Sequence, residues 1–437
     1  MQIKAFPKED TTNGWSKILP TRTPKPALED HVAADWLVIG AGYAGLAAAR
    51  RLAENRPDES VVVLEAGQSG MNASGRNSGF GIDLPHIVGT LEELEGSRRY
   101  MNLARAALDY LETSVEQHEI NCDWSRDGKY QTASSARGSK ELLEPFAKEL
   151  EALVEPFTWI DAAGCKEKLG TDHFHSAIYT PYCVLMNPAG LTQGLADSLP
   201  NNATLYEHSP VTTLEQENGI LATTPSGSVR APRMILAVNT YSCQFGQYQG
   251  KIMPMVAHAS LSRPLNEEER AAYGVEKPWG VTPANAFVSI TMRYTNDHRI
   301  LIREGIDYCP GQKISESKRL ALKARHKQLF DDRFPMLPNV EMEHTWSGFV
   351  AMARNGSPGF GQVAPNIWTA VCQNAVGVTK GTAAGMLAAD MACQVDNPLI
   401  DDMHSLGQPN SFPPRPFMDI GVRANLTWMR LMNRHER

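Results

Sequence analysis

The sequence predicts an α/β fold in which a doubly wound domain with a parallel sheet is interleaved with a domain built on an antiparallel sheet. The first observation is an order of strand, turn, helix and strand, with apolar runs at 35–39 and 61–64 around a glycine-rich turn. The second is a series of short β-type runs from 204 to 303. The third is a strand-like run at 367–371 that leads into a helical stretch at about 379–393.

The length and composition are those of a folded globular protein with more than one domain. The chain has 437 residues, which at roughly 100–200 residues per domain gives two or three domains. Hydrophobic residues make up 42% and charged residues 21%, which excludes a mainly disordered chain or a coiled coil. The 42 Lys and Arg against 49 Asp and Glu give a formal charge of -7, so nucleic acid is not an expected partner.

The cysteines and the first residues favour a cytoplasmic protein. Seven cysteines are scattered and never spaced C-x-x-C, so we expect reduced core thiols rather than disulfides or a zinc site. The first ten residues contain no apolar signal region, and no stretch approaches the roughly 18 apolar residues of a membrane span, so neither export nor a membrane partner is expected. His173 and His175 lack further ligands in register, so no metal is expected.

The elements of the first half follow from local patterns. Pro, Thr and charged residues over 1–33 predict an extended arm that lies on the body and is anchored by Trp15, Ile18 and Leu19. Helical spacing predicts helices at about 91–117 and 139–153, with strands between them at 123–133. Further short strands are predicted at 204–207, 211–216, 220–224 and 234–237.

The second half is predicted in the same way. Strands are expected at 252–261, 287–293 and 299–303, a charged helix at about 315–330, and a basic amphipathic helix near 422–433 after a Pro-rich link. The domains are assigned as an arm (1–33), a nucleotide-binding domain in three segments (34–120, 187–243 and 346–396), a second domain in two segments (121–186 and 244–345), and a C-terminal extension with a helix (397–437).

A dinucleotide fingerprint occupies the glycine-rich turn. Gly40, Gly42 and Gly45 form G-x-G-x-x-G between a predicted strand and a predicted helix, where they allow a tight turn while the helix N-terminus faces a pyrophosphate. Glu65 ends the next strand, 20 residues beyond Gly45, where a carboxylate can accept hydrogen bonds from ribose hydroxyls. The alternative is an ordinary turn with a solvated Glu. The fingerprint favours a dinucleotide, and the acidic residue disfavours a 2'-phosphate.

The loop after the second strand separates FAD from NAD as the cofactor. Residues 72–80 read Asn-Ala-Ser-Gly-Arg-Asn-Ser-Gly-Phe, a small and polar stretch. With the first 70 residues, this loop resembles the glycine/D-amino-acid oxidase (DAO) family of FAD enzymes, and within it the γ-glutamylputrescine-oxidase-like branch. There an Ala-Ser-Gly-Arg-Asn-Gly-Gly loop lies against the flavin, and here Ser78 replaces a glycine. The resemblance implies a Rossmann-like FAD-binding domain of the GR2 type and an antiparallel sheet that roofs the flavin.

Further motifs extend the resemblance over most of the chain: an Asn-Pro step at 187–188, a hairpin at 292–301, a return segment at 334–348 and a last flavin contact at 376–379. Gly348 stands where some relatives carry a flavin-linking cysteine, so FAD is expected to bind non-covalently. The cofactor-binding residues implied are Gly40, Gly42, Tyr43, Ala44, Gly45, Glu65, Ala66, Ser74, Gly75, Arg76, Asn77, Ser78, Val211, Gly348, Gly377, Val378, Thr379 and Lys380.

The helix predicted from 379 also has a physical interpretation of its own. Gly377, Gly381, Gly385 and Ala389 recur every four residues, so one helix face has almost no side chain and a neighbour can approach closely. We expect plain helix packing at Gly385 and Ala389. Residues 377–379 open the helix, where free N–H groups and the helix dipole favour negative charge such as that of a reduced flavin.

Three residues are candidates for catalysis. Lys380 follows in the first helical turn, where it is either solvated or points into the site to bind a substrate carboxylate or anionic flavin; the substrate-binding lysine of related amine oxidases aligns with Thr379. On the predicted strand 287–293 the polar residues share one face, so Arg293 can anchor an anion in a cavity beside it. His258 either shares that cavity or is a hydrogen-bonded core residue.

The resemblance implies a flavin amine oxidase. FAD would take a hydride from the carbon beside nitrogen of an amine or amino acid, the imine would hydrolyse, and O2 would reoxidise the flavin to give H2O2. No cluster of Asp and Glu appears on the segments expected around the flavin, which favours a small acidic secondary amino acid such as iminodiacetate or sarcosine. The cations on these segments are Arg76, Arg293, Arg303, Arg354 and Lys380.

Alternatives remain open at this level. The enzyme can be a γ-glutamylpolyamine oxidase, or a flavin amine dehydrogenase that passes electrons to a quinone or a carrier protein. Some relatives use a lysine beside the flavin to activate O2, and that position falls near Leu301, which leaves Arg303 and Lys380 as substitutes. An NAD-dependent dehydrogenase and a non-catalytic flavoprotein are more distant alternatives. The oligomeric state is not predicted.

Overall fold

The structure is a computed structural model that describes residues 1–8, 10–85, 94–217, 219–285 and 289–436. It confirms the predicted α/β class, since helices and sheets alternate along the chain. The helices in chain order are α1 (Gly14–Lys17), α2 (Tyr43–Asn55), α3 (Leu94–Gln117), α4 (Ala136–Gly138), α5 (Glu144–Leu153), α6 (Ala162–Leu169), α7 (Pro188–Asp197), α8 (Glu267–Tyr273), α9 (Glu316–Arg333), α10 (Thr379–Ala392), α11 (Leu399–Ser405) and α12 (Phe417–Met432).

The strands belong to several sheets. In chain order they are β1 (His31–Ala33), β2 (Trp36–Ile39), β3 (Val61–Leu64), β4 (Phe80–Gly81), β5 (Lys129–Ala133), β6 (Thr158–Asp161), β7 (Ser176–Thr180), β8 (Val184–Leu185), β9 (Ala203–Tyr206), β10 (Thr213–Glu215), β11 (Ile220–Thr223), β12 (Ser228–Ala231), β13 (Arg233–Leu236), β14 (Ile252–Ser262), β15 (Trp279–Pro283), β16 (Ile290–Tyr294), β17 (Ile300–Tyr308), β18 (Met342–Ala353), β19 (Gly359–Ala364) and β20 (Ile367–Val371).

A six-stranded sheet of order β19-β20-β13-β2-β3-β9 forms the doubly wound domain. Its neighbours pair in parallel except for the edge strand β19, which is antiparallel to β20. Every residue of β2 and β3 is buried, because a parallel sheet is covered on both faces. Helices α2, α3 and α10 cover one face, and a four-stranded sheet of order β1-β12-β11-β10 covers the other.

The second domain is built on an eight-stranded sheet of order β18-β14-β17-β16-β15-β5-β7-β6. Its neighbours are antiparallel except for β15 and β5. Helix α9 packs on one face, where Phe330 lies among Tyr294 and Ile302. The opposite face carries Arg293, which donates a hydrogen bond to Gly79 O of the doubly wound domain. This face therefore lies against the domain with the dinucleotide fingerprint.

Several predicted boundaries shift in the structure. Strand β18 pairs with β14 along its length, so the boundary placed at 346 falls inside a strand of the second domain. Residues 287 and 288 of one predicted strand, and 91–93 of one predicted helix, lie outside the described residues. Strand β12 was not predicted, because its alternation of Ser228 and Arg230 with the buried Val229 and Ala231 covers only four residues.

The N-terminal arm is anchored by aromatic packing. Trp15 is buried and meets Trp346 edge-on, with ring centroids 6.3 Å apart. Ile18 and Leu19 pack on the same cluster, as predicted. The arm is not extended throughout, because α1 forms one turn of helix and β1 joins β12 in parallel.

The C-terminal extension lies on the second domain. Its helix begins at Phe417, earlier than predicted, and packs on Ile306 and Tyr308 of β17. Beyond the helix, Ser289 Oγ donates a hydrogen bond to the backbone carbonyl of Glu436 at 2.6 Å. The extension therefore covers part of the sheet face that carries Arg293. No helix in the described ranges is both long and apolar enough to cross a bilayer.

Helices α2 and α10 pack where α10 has no side chain. A Cβ built on Gly385 would lie 2.0 Å from Ala44 O, a distance that packed atoms do not adopt. The next residue of the same row, Ala389, is fully buried. The packing role expected for the four-residue spacing is confirmed at both positions.

We predict that Gly385→Ala lowers the free energy of unfolding by roughly 1–3 kcal/mol, because the added methyl must push α2 and α10 apart. Gly421→Ala is the matched control, since a Cβ at this position in α12 meets no atom within 4 Å. That control should gain about 0.5–1 kcal/mol from its higher helix propensity. Urea titration followed by circular dichroism measures both, and equal stability of the two variants would contradict the packing argument.

Candidate active site

The glycine-rich turn is shaped by contacts that exclude any side chain. Gly40 has φ +103° and a Cβ there would lie 2.7 Å from Ala237 O. A Cβ on Gly45 would lie 1.7 Å from Gly40 O, so the first turn of α2 rests directly on the backbone of the preceding strand. Gly42 is the N-cap of α2 and faces Ser74 Oγ. Tyr43 N is bonded to Ser74 Oγ, so Ala44 N and Gly45 N are the first-turn donors that remain for a phosphate.

Glu65 fixes this turn to the end of β3. Its Oε2 accepts a hydrogen bond from Ala41 N at 2.8 Å, and its Oε1 accepts one from Gly67 N at 3.1 Å. Both bonds are charge-assisted, so they are stronger than bonds between neutral groups. The carboxylate therefore holds the two βα turns of the fingerprint together and lines the cleft between them.

A single cleft collects seven of the 18 predicted cofactor-binding residues. It lies at the carboxyl ends of β2, β3 and β13, which is where doubly wound sheets bind nucleotides. Because Gly40 and Gly42 have no side chains, the phosphates of a ligand can approach the protein backbone closely, so the cleft fits a dinucleotide. The predicted residues that line it are Gly40, Gly42, Glu65, Ala66, Ser74, Arg76 and Val211.

The loop of residues 70–79 runs from the cleft toward the second domain. Ser74 Oγ accepts a hydrogen bond from Tyr43 N at 3.3 Å, and Asn77 bonds within the loop to Ser74 O at 2.6 Å. A Cβ on Gly75 would lie 1.8 Å from Gly70 O, so the loop folds tightly on itself. We call this segment the flavin loop.

Arg76 joins the flavin loop to two other parts of the chain. Its Nε donates to Met71 O at 2.6 Å, its Nη1 to Ser347 O at 3.1 Å, and its Nη2 to the Asp10 carboxylate at 2.7 Å. Gly348 follows in β18, where a Cβ would lie 3.3 Å from Arg76 Cβ. The Arg76 guanidinium is therefore fixed by acceptors within the protein, and in this position it lines the cleft.

The start of α10 lies beside the end of the flavin loop. Thr379 Oγ1 donates to Ile82 O at 3.0 Å, and Gly377 and Val378 precede it, with Val378 as the N-cap. Since α10 also packs on α2, the structure brings the last predicted flavin contact together with the fingerprint helix.

Lys380 is buried rather than solvated, with 6% of the residue exposed. Its Nζ forms no hydrogen bond or ion pair with any residue in the described part of the chain. Burial lowers the pKa of Lys380 to about 8. The neighbouring Cys372 supplies no negative charge at neutral pH, because burial raises the pKa of its thiol to about 12. Lys380 is thus a buried cation without a counter-ion at neutral pH.

The structure gives Arg293 backbone partners in place of a free anion-binding position. Its Nη1 donates to Gly79 O at 2.9 Å and to Met186 O at 2.5 Å. The guanidinium also lies over the rings of Trp15 and Phe80, 5.3 and 5.8 Å from their centroids. These contacts fix the end of the flavin loop, a positioning role that the sequence does not reveal.

His258 is a hydrogen-bonded residue of the core, which is the second of the two roles considered for it from the sequence. Its Nδ1 is 2.8 Å from Ser347 Oγ, and its Nε2 is 3.5 Å from the Asp307 carboxylate. The next residue of the same strand face, Ser260, bonds to His326 of α9. Helix α9 covers the face opposite the flavin loop, so His258 points away from that loop. The neighbouring His258 imidazole holds the pKa of Asp307 well below its usual range.

A row of polar side chains crosses the sheet face that carries Arg293. Arg303 of β17 is paired with Thr291 of β16 and donates to Thr291 Oγ1 over a long 3.5 Å. Burial lowers the pKa of Arg303 to about 10, and Arg303 has no ion pair within the described ranges. At the other end, Lys129 Nζ donates to Gln131 Oε1 at 3.0 Å and to Thr282 Oγ1 at 3.3 Å.

Sequence reasoning missed the role of Lys129 and gave Arg303 only as a substitute for an oxygen-activating lysine. The sequence did contain a pattern that could have identified Lys129. Lys129 and Gln131 lie on either side of Tyr130, so they share one face of a strand, just as the polar residues of the predicted strand 287–293 do. What the sequence lacks is the pairing of β15 with β5 and of β16 with β17, which makes one row of these side chains.

Comparison with known families agrees with this geometry. The sequence model of the DAO family, described as FAD dependent oxidoreductase, matches residues 35–391. The chain therefore belongs to the DAO family of FAD-dependent oxidoreductases, and the predicted FAD cofactor is confirmed. The glycine-rich cleft, the flavin loop and the start of α10 are the parts of this chain that would hold it.

Individual relatives span nearly the same length. Gamma-glutamylputrescine oxidoreductase of Escherichia coli is 25% identical over 413 residues, which cover 88% of this chain and 89% of the relative. Glycine oxidase from Geobacillus kaustophilus superposes with a TM-score of 0.70 at 18% identity and covers 84% and 96% of the two chains. Iminodiacetate oxidase from Chelativorans sp. BNC1 superposes with a TM-score of 0.64 at 19% sequence identity. The superposition covers 88% of this chain and 98% of that enzyme. The solved structures establish the fold.

We predict that Glu65→Gln weakens FAD binding by roughly 1.5–3 kcal/mol, the range for hydrogen bonds to a charged group. An amide cannot accept at both positions, so either Ala41 N or Gly67 N loses its partner. Glu116→Gln, at an exposed position of α3, is the control. The measurement is the FAD retained after serial dilution, and retention equal to that of the control would show that Glu65 is only a strand-end residue.

Proposed function

We propose that the protein is an FAD-dependent amine or amino-acid oxidase whose substrate is a small acidic secondary amino acid, such as iminodiacetate or sarcosine. Bound FAD supplies the two-electron acceptor for oxidation of the carbon beside nitrogen, and the product imine hydrolyses in water. The chain's own residues orient the substrate and exclude competing reactions. The observation that carries the substrate class is a pair of cations, the partly buried Arg303 and the buried Lys380, that have no anionic partner in the described residues.

Buried cations favour an anionic ligand for a physical reason. A charge removed from water is stabilised only when a counter-ion or strong hydrogen bonds replace its hydration. Among the described residues, the side chain of Arg303 makes one hydrogen bond, which is long. Lys380 is buried and has no counter-ion there. A carboxylate beside either would accept short, charge-assisted bonds, and from Arg303 these can be bidentate. The anchor expected at Arg293 thus moves to Arg303, because Arg293 is bonded to backbone carbonyls.

Two of the similar structures support an amino-acid substrate, since their names give glycine and iminodiacetate as what those enzymes oxidise. The second candidate is a γ-glutamylated polyamine, supported by the name of the Escherichia coli relative. Lys129, Arg303 and Lys380 argue against a substrate with several positive charges, because like charges repel in a desolvated pocket. A panel of substrates with anaerobic flavin bleaching decides between the two classes: faster reduction by putrescine or γ-glutamylputrescine than by any amino acid would reject the acidic substrate.

Oxygen as the electron acceptor is part of the same proposal. At the strand position where some relatives carry an oxygen-activating lysine, Leu301 is fully buried in an apolar cluster. Lys380 is then the amine best suited to favour O2 reduction, because a cation stabilises developing negative charge. Production of H2O2 equal to the substrate consumed supports an oxidase, whereas turnover only with a quinone or dye supports a dehydrogenase.

We also propose a reducing, cytoplasmic location. All seven cysteines are free, and five of them are buried, which supports a protein that folds without disulfides.

We predict that Arg303→Met and Lys380→Met each raise KM for an acidic amine at least tenfold, with a much smaller change for an uncharged analogue such as an amino-acid amide. A lost charge-assisted bond is worth roughly 1.5–3 kcal/mol. Arg354→Met is the control, because Arg354 is also an arginine or lysine of the segments expected around the flavin, but it follows β18 and is exposed. Equal effects on the acid and on its amide would show that these cations serve the fold or the flavin.

We predict that a carboxylate ligand without an amino group, such as methoxyacetate, binds more weakly as pH rises above 8. The pKa of Lys380 is lowered to about 8, so its ammonium is present below that pH and is lost above it. Binding is followed by the change in the flavin spectrum between pH 6 and 9.5, below the pKa of about 10 of Arg303. Lys380→Arg should bind equally well across this window, and a wild-type profile as flat as that of Lys380→Arg would remove Lys380 from the site.

A further inference from the structure

We propose that residues 1–8 and 10–15 form a strap that completes the FAD site: they close one side of the dinucleotide cleft and hold the flavin loop, so that FAD is released only when the strap opens. The family model begins at residue 35, so this strap is a feature of this chain beyond the family's shared domain. The proposal rests on the FAD cofactor and is independent of the substrate.

The strap lines the cleft directly. Ile3, Phe6, Pro7, Lys8 and Asp10 share the cleft with Gly40, Glu65 and Val211. A dinucleotide in the cleft would therefore have the glycine-rich turn on one side and the strap on another. Part of the strap's lining is apolar, as suits the flat faces of a purine ring.

The strap is fixed at both ends. At the start, Ile3 is buried in the core beneath the four-stranded sheet, and its N–H donates to Thr212 O at 2.9 Å, beside Val211. At the other end, Asn13 is fully buried and Trp15 is inserted against Trp346. Between these anchors, residues 5–8 make no hydrogen bond to any other residue in the described ranges. A segment held at its ends and free in the middle opens at a lower cost than the core does.

The far anchor bonds to the flavin loop itself. Asn13 Nδ2 donates to Gly75 O at 3.0 Å and to Gly70 O at 3.3 Å, and Trp15 Nε1 donates to Asn77 O at 2.8 Å. These bonds satisfy backbone carbonyls that would otherwise be buried without partners. The conformation of the flavin loop therefore depends on the strap being in place.

Asp10 completes the connection by an ion pair. Its carboxylate accepts from Arg76 Nη2 at 2.7 Å and from Thr12 N at 3.1 Å. Arg76 is the loop residue that also binds Ser347 O of β18. The strap, the flavin loop and the antiparallel sheet thus meet at one guanidinium, on the wall of the cleft.

The first test measures FAD release from the full-length holoprotein. Asp10→Ala and Asn13→Ala should each accelerate the appearance of free FAD fluorescence after dilution at least tenfold. Lys25→Ala is the control, because Lys25 belongs to the same arm but pairs with Asp197 at the surface, and its release rate should stay within twofold of wild type. Release from Asp10→Ala and Asn13→Ala as slow as from Lys25→Ala would overturn the proposal.

The second test needs no variant, so it holds even where Asn13→Ala fails to fold. Trypsin can cut the strap after Lys4 and Lys8, and mass spectrometry resolves the two products from later cuts. Cleavage at these sites should be at least fivefold slower with FAD bound than in the apoprotein, while cleavage at the exposed Lys166 should be unchanged. Equal rates at Lys4 and Lys8 with and without FAD would show that the strap does not cover the cofactor.

Discussion

The flavin loop has no exposed residue and almost no regular secondary structure, so its backbone carbonyls must find donors elsewhere, and the rest of the site depends on this constraint. Unpaired carbonyls in the interior cost as much as lost hydrogen bonds. The donors come from separate parts of the chain: Asn13 and Trp15 from the arm, Trp346 from β18 and Arg293 from β16. One loop therefore ties the arm and both domains together.

This constraint explains the role of Arg293. The sequence marks Arg293 as a polar residue in a strand, but it does not show that Arg293 supplies donors to the carbonyls at the end of the flavin loop. Alternation along its strand predicts a buried polar face, and the structure has one. Each polar residue on that face has a different partner: Ser289 bonds to the C-terminal extension, Thr291 to Arg303, and Arg293 to the flavin loop. Alternation fixes the side on which a residue lies, but its partner is decided by the neighbouring strand, as for Thr291, or by a chain segment more than a hundred residues away, as for Ser289 and Arg293.

Local sequence was sufficient where the chemistry is local. The turn at Gly40, the strand-end Glu65 and the small face of α10 all follow from spacings of a few residues, and backbone contacts in the structure require them. The cofactor followed from the same local motifs together with the order of motifs along the chain. Arg303 and Lys129 could not be assigned in this way, since strand order in the eight-stranded sheet decides that they border one polar row.

The segments outside the matched family domain each cover part of the molecule's main domains. The arm contacts the flavin loop and the cleft, and the C-terminal extension covers the antiparallel sheet at Ser289 and Tyr308. Within the described residues, neither segment adds a strand to the six- or eight-stranded sheet, and strand β1 of the arm joins the edge of the four-stranded sheet. The glycines of the fingerprint let the cofactor approach the backbone closely, and the added segments cover further parts of the cleft and of the antiparallel sheet from water. Such cover matters for the partly buried Arg303 and the buried Lys380, because a cation that keeps its hydration gains less from a substrate carboxylate.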